Sequence, residues 1–384
     1  MTEPTRAEAT NSHRTGPGEK SVGLFTGHFK WLVPGLVLYM VAAGFEVVAV
    51  VVVMPTVAHE LNAMSSYSSA IAITVACSIV GILLAGPWSD QKGPRGPIIV
   101  GALSMMTGLL TAGFAHTMAL FLLGRAIQGL GVGLVNVSAY VIIGRELPQH
   151  LHARMFSLNA VAWILPALLG PAVAGLLVDS VGWRWAFWGV APIFLIATII
   201  TLIGMRSHGG AAEQNLTASE WRGRVIRALI IAVCIGALQP AGELVQEGKL
   251  ALVVISVIAV MAVLVVAARQ LVPPHTLTLG EGLPAVVASR LFLAGSYFAM
   301  ESYIPLMGQS FRGLSPTQSG LLVASGSVTW GIASFLQARL PDNLNRTRVL
   351  TFGMACGTVG ILATLTLASA SIPLAIAVLS LIHI

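Results

Sequence analysis

The sequence predicts an all-α membrane protein made of helical bundles. Hydrophobic residues make up 56% of the 384 residues and charged residues only 9%. The core of a water-soluble domain could not bury so many hydrophobic side chains. The hydrophobic residues form continuous runs of about 20, which is the length an α-helix needs to cross roughly 30 Å of hydrocarbon. Repeated runs of this length indicate a chain that crosses the membrane many times.

The hydrophobic runs predict eleven membrane helices and part of a twelfth. They cover residues 32–56, 67–87, 97–115, 117–142, 155–178, 185–205, 226–242, 249–268, 284–308, 316–338, 348–370 and 372 to the end of the sequence. The longest polar stretch between runs, Arg206 to Arg224, is the natural linker between two bundles. The predicted organisation is a cytoplasmic tail (1–30), an N-terminal six-helix bundle (31–205), a cytoplasmic linker (206–225), two additional transmembrane helices (226–270) and a partial C-terminal bundle (284–384).

The distribution of positive charge predicts the orientation of the chain. Most of the 21 lysines and arginines fall in alternate loops, which is typical of the cytoplasmic side of a multi-pass protein. Arg184, Lys249 and Arg312 fall on the opposite side, and Arg125 lies within a run. We therefore expect a plasma-membrane protein with a cytoplasmic N-terminus. Because topology accounts for the basic balance, we expect no nucleic acid partner.

The segment from Gly86 to Gly96 reads Gly-Pro-Trp-Ser-Asp-Gln-Lys-Gly-Pro-Arg-Gly and separates the second run from the third. So many turn-forming and charged residues predict a short loop whose charges lie at helix ends. The segment resembles the loop 2/3 signature of the major facilitator superfamily of secondary transporters, Gly-x-x-x-Asp-(Arg/Lys)-x-Gly-x-(Arg/Lys)-(Arg/Lys). The residues that carry the resemblance, with one neighbouring cation, are Gly86, Asp90, Lys92, Gly93 and Arg95. The alternative is a generic charged loop on the cytoplasmic side.

A weak internal repeat relates the two halves of the chain. It aligns Pro55 with Pro305, Asp90 with Asp342, Gly101 with Gly353 and Gly108 with Gly360. Parallel repeats of this kind build the two halves of the superfamily; the alternative is chance agreement among glycine-rich apolar segments. The offset leaves room for two helices between the halves, which resembles the fourteen-helix branch of drug:proton antiporters. A second half of equal length would extend beyond Ile384, so we expect a C-terminally truncated transporter; a compact twelve-helix chain with a short last span is the alternative.

Two ionisable residues, Glu46 and Arg125, lie inside hydrophobic runs of the first half. A charge in a membrane span is unfavourable unless it is paired or lines a water-filled cavity, so both are candidate functional residues. Pro55 lies at the outer end of the first run, and the fourth run begins at the same side of the membrane. At 1.5 Å per residue, Glu46 is about 13 Å and Arg125 about 12 Å from that side, so the two could face one cavity. A desolvated carboxylate can cycle between protonated and ionised forms near neutral pH, as proton coupling requires. The alternative is a carboxylate paired permanently with a neighbouring helix.

Both residues lie in segments that resemble motifs of the drug antiporters. The segment that begins at Arg125, Arg-Ala-Ile-Gln-Gly-Leu-Gly, matches the helix 4 motif Arg-x-x-Gln-Gly-x-Gly at every fixed position. Glu46 and Pro55 match the acid and the proline of the helix 1 motif Asp-x-Thr-x-x-x-x-Ala-x-Pro, whose threonine and alanine are valines here. The resemblance implies a proton-coupling and substrate cavity that contains Glu46, Arg125 and Gln128.

The fifth run carries Leu-Gly-Pro-Ala-Val-Ala-Gly, which resembles the helix 5 antiporter motif Gly-x-x-x-Gly-Pro-x-x-Gly-Gly. Gly170, Pro171 and Gly175 match the motif, whereas Pro166 and Ala174 replace two of its glycines. Proline removes a backbone hydrogen bond and bends a helix, which predicts a hinge where two halves rock. In the family this motif marks antiporters, so the resemblance implies export. A packing kink without a coupling role is the alternative.

Glu301, four residues before Pro305, is a further candidate for proton coupling in the second half. Its shallow position is equally consistent with a solvated carboxylate at the outer mouth. The sequence leaves open whether Glu46 or Glu301 is the coupling site.

The resemblance to the drug antiporters implies a secondary active transporter that exports drug-like or amphiphilic small molecules by proton antiport with alternating access. An importer or metabolite uniporter of the same superfamily is the alternative, as is a fragment that transports nothing. The sequence contains no phosphate-binding loop for ATP and no His pair or Ser/His/Asp set on one side of a span, so we expect no enzyme. The expected partners are a small-molecule substrate, protons and the lipid bilayer, for a monomer without cofactor or metal.

Overall fold

The computed structural model describes residues 23–206, 218–238, 244–245, 247–269, 272–337, 339, 345–366, 369 and 371–382, and within these ranges the regular structure is helical. The first half contains α1 (Phe29–Glu60), α2 (Tyr67–Lys92), α3 (Arg95–Gly113), α4 (Met118–Glu146), α5 (Gln149–Val181), α6 (Trp185–Trp188) and α7 (Ala191–Gly204). The later helices are α8 (Ala218–Ala237), α9 (Leu250–Ala268), α10 (Leu283–Glu301), α11 (Ile304–Arg312), α12 (Pro316–Gln337), α13 (Arg346–Ala363) and α14 (Ile372–Ile382). Residues 1–22 of the predicted tail, 207–217 of the predicted linker and Asp342 of the repeat lie outside the described residues.

Every predicted run contains a helix, so the all-α membrane fold is confirmed. Within the described ranges, nine helical stretches are long and apolar enough to cross a membrane. Several helices also extend beyond the hydrophobic runs that predicted them, as when the run 155–178 becomes α5, Gln149–Val181. The backbone hydrogen bonds of a helix can continue past the hydrocarbon, so hydropathy marks the membrane boundary and not the helix end.

The predicted loop from Gly86 to Gly96 is wrong over most of its length, because α2 continues to Lys92. The helix ends at Gly93, whose φ of 80° lies in the region that favours glycine. Only Gly93 and Pro94 separate α2 from α3, which begins at Arg95. The loop 2/3 motif is therefore the last two turns of one helix followed by a two-residue turn.

Two predicted spans are interrupted. The run 185–205 forms α6 and α7, and the run 284–308 forms α10 and α11 with a break at Ser302 and Tyr303. Pro305 stands in the first turn of α11. Proline has no N–H for the preceding turn and disfavours the helical conformation in the residue before it, so a helix restarts there.

Helix α4 lies between α2 and α3 at very short range because glycines line two of its faces. A Cβ atom at Gly129 would lie 2.3 Å from the carbonyl oxygen of Thr74 in α2. A Cβ atom at Gly124 would lie 2.6 Å from the backbone nitrogen of Ala112 in α3. Small residues allow such close approach between membrane helices, where packing replaces the hydrophobic effect.

Helix α1 packs against α5 and α7 along the other side of the first half. Gly44 of α1 faces Pro166 of α5, and a Cβ atom at Gly35 would lie 2.6 Å from the backbone nitrogen of Thr201 in α7. A buried apolar cluster joins the first turns of α1 to the facing ends of α4 and α5. It contains Leu32, Leu36, Met40, Ile142, Ile143, Leu151 and Met155.

The first half contacts α10 to α12 near the end of the bundle where α1 and α5 terminate, which is here named the predicted outer end; α2 also packs against α8. Tyr67 Oη, at the start of α2, donates to the carbonyl oxygen of Ser302 at 2.6 Å. Gln309 Nε2 of α11 donates to the carbonyl oxygen of Val52 at 3.2 Å. Farther from this end, a cavity of about 370 Å³ separates α5 from α12 between Ile164 and Phe335. Helices α5 and α12 are thus joined at the predicted outer end and spaced apart below it.

Candidate functional site

The structure brings Glu46 of α1 and Arg125 of α4 into contact. Arg125 Nη1 donates to Glu46 Oε1, and only 2% of Glu46 and 4% of Arg125 is exposed. The residues are separated by 79 positions in sequence, so the ion pair joins two distant helices. Because both charges are buried, each depends on the other for the stabilisation that water would otherwise provide.

Gln128, one turn after Arg125, completes a closed triangle of polar side chains. Its Nε2 donates to Glu46 Oε1 at 2.8 Å, and its Oε1 accepts from Arg125 Nη1 at 2.6 Å. The side chain is fully buried. The helix 4 motif places Arg125 and Gln128 three residues apart, which puts both on one face of α4 toward Glu46. Glu46, Arg125 and Gln128 are here named the buried polar cluster.

Backbone groups of α2 hold the arginine in place. Arg125 Nε donates to the carbonyl oxygen of Ala70 at 3.3 Å. Thr74 Oγ1 donates to the carbonyl oxygen of Arg125 at 3.3 Å. These contacts need the short distance between α2 and α4 that Gly129 allows. The motif glycine thus supports the cluster through the position of α2.

Glu46 Oε1 is the acceptor that the members of the buried polar cluster share. It accepts from both Arg125 and Gln128. The carboxylate of α1 and the guanidinium of α4 thus balance each other's charge in the interior, and this pairing joins the two helices.

Glu301, the last residue of α10, is not brought together with the buried polar cluster. Its Oε1 accepts from Tyr297 Oη at 2.7 Å, one helical turn earlier. The residue is half-buried, and the next residue, Ser302, contacts Tyr67 at the predicted outer end. The structure places Glu301 beside the junction of the two halves.

The loop 2/3 motif contributes one ion pair between helix ends. Arg145 Nη2, in the last turn of α4, donates to Asp90 Oδ1 in α2 at 3.3 Å. Lys92 and Arg95 are exposed, and nothing lies within 4 Å of a Cβ atom placed at Gly86. The motif therefore joins α2 to α4 at the opposite end from Glu301.

The helix 5 motif lies at the junction of α5 with both α1 and α12. A Cβ atom at Gly170 would lie 2.5 Å from Val48 Cγ2 of α1. A Cβ atom at Gly175 would lie 2.5 Å from the carbonyl oxygen of Pro316 in α12. The carbonyl oxygen of Pro171 would in turn lie 2.1 Å from a Cβ atom at Gly320. The motif thus forms the closest described contact surface between α5 and the later helices.

Two further groups were missed by sequence reasoning. Glu60, at the end of α1, accepts from Trp183 Nε1 and from Arg184 Nη1, each at 2.7 Å, and the Arg184 guanidinium lies 4.4 Å from the centre of the Trp183 ring. These three residues are here named the Glu60 clasp. The second group is Asp179, whose carboxylate accepts from Thr317 in α12. Neither partner could be assigned from sequence, because more than 120 positions separate the residues of each pair.

Comparison with solved structures agrees with this architecture. A POT family transporter in complex with 5-aminolevulinic acid is 16% identical, with a TM-score of 0.67 that covers 94% of this chain and 82% of the other. The xylose transporter XylE from E. coli is 15% identical, with a TM-score of 0.59 over 93% of this chain and 84% of the other. These likenesses confirm the fold.

Comparison by sequence gives relatives that are distant but cover most of the chain. Multidrug transporter protein MdtP of Bacillus subtilis is 22% identical over 88% of this chain and 62% of its own length. Probable multidrug-efflux transporter Rv1634 of Mycobacterium tuberculosis is 25% identical over 77% of this chain and 63% of its own length. The chain spans about three fifths of the length of these curated relatives.

A family model provides the assignment. The model described as Major Facilitator Superfamily matches residues 36–384, from the second turn of α1 to the end of the sequence. The match confirms the resemblance to this superfamily of membrane transporters that the motifs at Gly86 and Arg125 indicated. The chain belongs to the Major Facilitator Superfamily.

Proposed function

We propose that this transporter exports drug-like or amphiphilic small molecules in exchange for protons, by alternating access across the plasma membrane with its N-terminus in the cytoplasm. The observation that carries the proposal is the buried polar cluster, in which a carboxylate and a guanidinium are held together inside a span region. A buried carboxylate that can be neutralised by one proton is the minimum that proton coupling requires. We take the working unit to be a monomer in the lipid bilayer.

In this mechanism Glu46 carries the proton. When the cavity opens to the outside, Glu46 accepts a proton and its pairing with Arg125 weakens. When the cavity opens to the cytoplasm, the proton leaves on that side and the Glu46 carboxylate pairs again with Arg125 and Gln128. Substrate binding near Arg125 favours one protonation state over the other, and this difference in affinity couples the two fluxes.

Support for an amphiphilic substrate comes from relatives and from the composition of the spans. The relatives named above are a multidrug transporter and a probable multidrug-efflux transporter. The cavity between α5 and α12 is lined mainly by apolar side chains of these spans, among them Ile164, Val328 and Phe335. Apolar walls with few polar groups suit ligands that partition into membranes.

Alternating access is supported by the unequal spacing of the two halves. They are in backbone contact near Gly175 and Pro316, and they are separated by an apolar cavity farther along α5. Rocking about such a junction exposes a central site to one side at a time. We assign the closed end to the outside, in agreement with the distribution of positive charge.

The test is substrate-induced proton release from proteoliposomes that contain the full chain, with a panel of lipophilic cations. We expect release from the parent and none from the Glu46→Gln variant, which keeps the shape of the side chain but cannot ionise. Glu247→Gln is the matched control, because this acid is exposed and lies outside the cluster. Its release should equal that of the parent.

Three other outcomes would change the proposal. Normal release from Glu46→Gln together with loss from Glu301→Gln would transfer the coupling role to Glu301. Uptake of substrate with no proton movement would favour the importer or uniporter. A parent that binds lipophilic cations without moving them would contradict transport by this chain.

A further inference from the structure

The first turn of α12 receives a helix cap from the other half of the molecule. Thr317 N, in the first turn, donates to Asp179 Oδ2 at 3.1 Å, and Thr317 Oγ1 donates to the same oxygen. Asp179 stands two residues before the end of α5. The N–H groups of a first helical turn have no partner within the helix and carry partial positive charge, so a carboxylate is their preferred acceptor.

The first turn of α12 also has a capping box of its own, which satisfies all but one of the backbone N–H donors in that turn. Ser315 Oγ accepts from Gln318 N at 3.2 Å, and Gln318 Oε1 accepts from Ser315 N at 3.0 Å, which together form a capping box. Pro316 has no N–H group. The N–H of Thr317 is therefore the donor in this turn that the local box leaves for Asp179.

Glycines bring the two helix ends close enough for this contact. Gly175 lies one turn before Asp179 on α5, and a Cβ atom there would lie 2.5 Å from Thr317 Cα. Gly320 lies one turn after Pro316 on α12, and a Cβ atom there would lie 2.1 Å from the carbonyl oxygen of Pro171. The helices thus touch by their backbones over two turns, and the Asp179 contact lies at the outermost point of that surface.

We propose that Asp179 is a positioning residue that holds the transporter closed at the predicted outer end. This inference rests on the proposed alternating access. The contact between Asp179 and Thr317, here named the Asp179 latch, exists only while α5 and α12 are together at that end. Opening to the outside separates the carboxylate from the helix terminus and leaves Thr317 N to water. The latch therefore stabilises the outward-closed conformation relative to the outward-open one.

The test measures two distances in proteoliposomes by pulsed electron paramagnetic resonance, with Cys77, Cys234 and Cys356 replaced by serine. One spin-label pair, His116 and Phe311, reports the predicted outer end, and both positions are exposed. The other pair, Gln149 and Leu336, reports the opposite end and is also exposed. The variants are Asp179→Ala, Asp179→Asn and the adjacent control Ser180→Ala, whose hydroxyl donates within its own helix.

For Asp179→Ala we expect the ratio of long to short outer distances to rise roughly fivefold to tenfold, the effect of losing one helix cap. The opposite pair should shift toward shorter distances at the same time. Asp179→Asn, which keeps an acceptor oxygen, should restore most of the closed population, and Ser180→Ala should match the parent. Opposite shifts of the two pairs distinguish a latch from general loosening, which would broaden both distributions.

An unchanged outer distance in Asp179→Ala would overturn the proposal, and so would equal broadening of both pairs. The distances do not depend on substrate or proton movement. A shift in Asp179→Ala with no proton release from the parent would therefore retain the latch and contradict antiport, whereas normal release without a shift would contradict the latch alone.

Discussion

Two ion pairs connect α4 to its neighbours, one in the interior and one at a helix end. The side chains of Glu46 and Arg125 are 2% and 5% exposed, whereas those of Asp90 and Arg145 are 48% and 28% exposed. Both pairs join a carboxylate to a guanidinium on another helix. Their surroundings nevertheless give them different energetic roles, because water and salt can replace the partner of an exposed charge but not that of a buried one.

The helix 4 motif and the loop 2/3 motif also differ in how strongly their residues depend on one another. The helix 4 motif supplies two members of a closed hydrogen-bonding triangle, so each residue depends on the others. The loop 2/3 motif supplies one exposed pair and one glycine with a positive φ. Changes in the first motif should therefore act strongly and together, and changes in the second should act weakly and separately.

The largest effect should come from breaking the buried pair on one side only. Arg125→Met leaves the Glu46 carboxylate buried without its cation and should lower the free energy of unfolding by about 3–5 kcal/mol. The double variant Glu46→Leu with Arg125→Met removes both charges and should recover most of that loss, because no buried charge remains. Denaturant titration in mixed micelles measures both. A single variant as stable as the parent would show that the pair is hydrated in solution.

The double variant also separates stability from coupling. We expect it to fold as well as the parent but to release no protons when substrate is added. If it released protons normally, the carboxylate of Glu46 would have no role in coupling.

A smaller effect should follow from separating α4 from α2 without removing a charge. A Cβ atom at Gly129 meets backbone atoms of Thr74 that cannot rotate away, so Gly129→Ala should lower stability by about 1–3 kcal/mol through overpacking. Gly144→Ala on the same helix is the matched control, since nothing lies within 4 Å of the added atom. Thermal unfolding in detergent compares the two. Equal melting temperatures would mean that α2 and α4 are farther apart than described here.

Alanine variants of the two glycines in the loop 2/3 motif should differ in stability by a still smaller amount. Gly93 has a φ of 80°, so Gly93→Ala should lower stability by about 1 kcal/mol because a side chain disfavours that conformation. Gly86 is helical with open space around it, so Gly86→Ala should be neutral or slightly stabilising, since alanine favours a helix. The same melting experiment measures both. A reversed order would contradict the end of α2 at Gly93.

The smallest effect should come from the exposed pair. Asp90→Asn should change the free energy of unfolding by less than about 1 kcal/mol, and the change should vanish at about 1 M salt, where charges are screened within about 3 Å. Arg125→Met should keep its full effect at that salt concentration. Equal salt dependence of the two variants would remove the distinction between the interior pair and the end pair.

Much of the fold could be predicted because hydropathy is a local property of the chain. The runs placed α1 to α5 within a few residues, and a charge inside an apolar run singled out Glu46 and Arg125. The prediction of a loop from Gly86 was wrong because the first charged residues that follow it lie within α2. They indicate where the helix leaves the membrane, whereas Gly93 is where the helix ends. The sequence shows the glycine, but it does not show that Gly93 has a positive φ, because that angle depends on the direction in which the chain continues to α3.

The supporting contacts of the site could not be predicted from residue types. Every residue has a carbonyl group, so nothing in the sequence distinguishes Ala70 as the acceptor for Arg125. The pairing of Gly175 with Pro316, or of Asp179 with Thr317, depends on how two distant helices cross. Such contacts follow from the packed arrangement of the helices, which hydropathy does not encode.

The Glu60 clasp has a mechanical consequence. It fastens the last residue of α1 to the junction of α5 and α6, within the same half of the molecule. The contact favours rotation of α1 together with its bundle over an independent tilt. A helix of 32 residues is about 48 Å long, so a rotation of about 10° around its fixed end displaces the other end by about 8 Å. In the alternating access proposed above, α1 moves with its bundle as a lever arm, so that a small angular change at the outer rim becomes an opening wide enough for a small molecule at the far end.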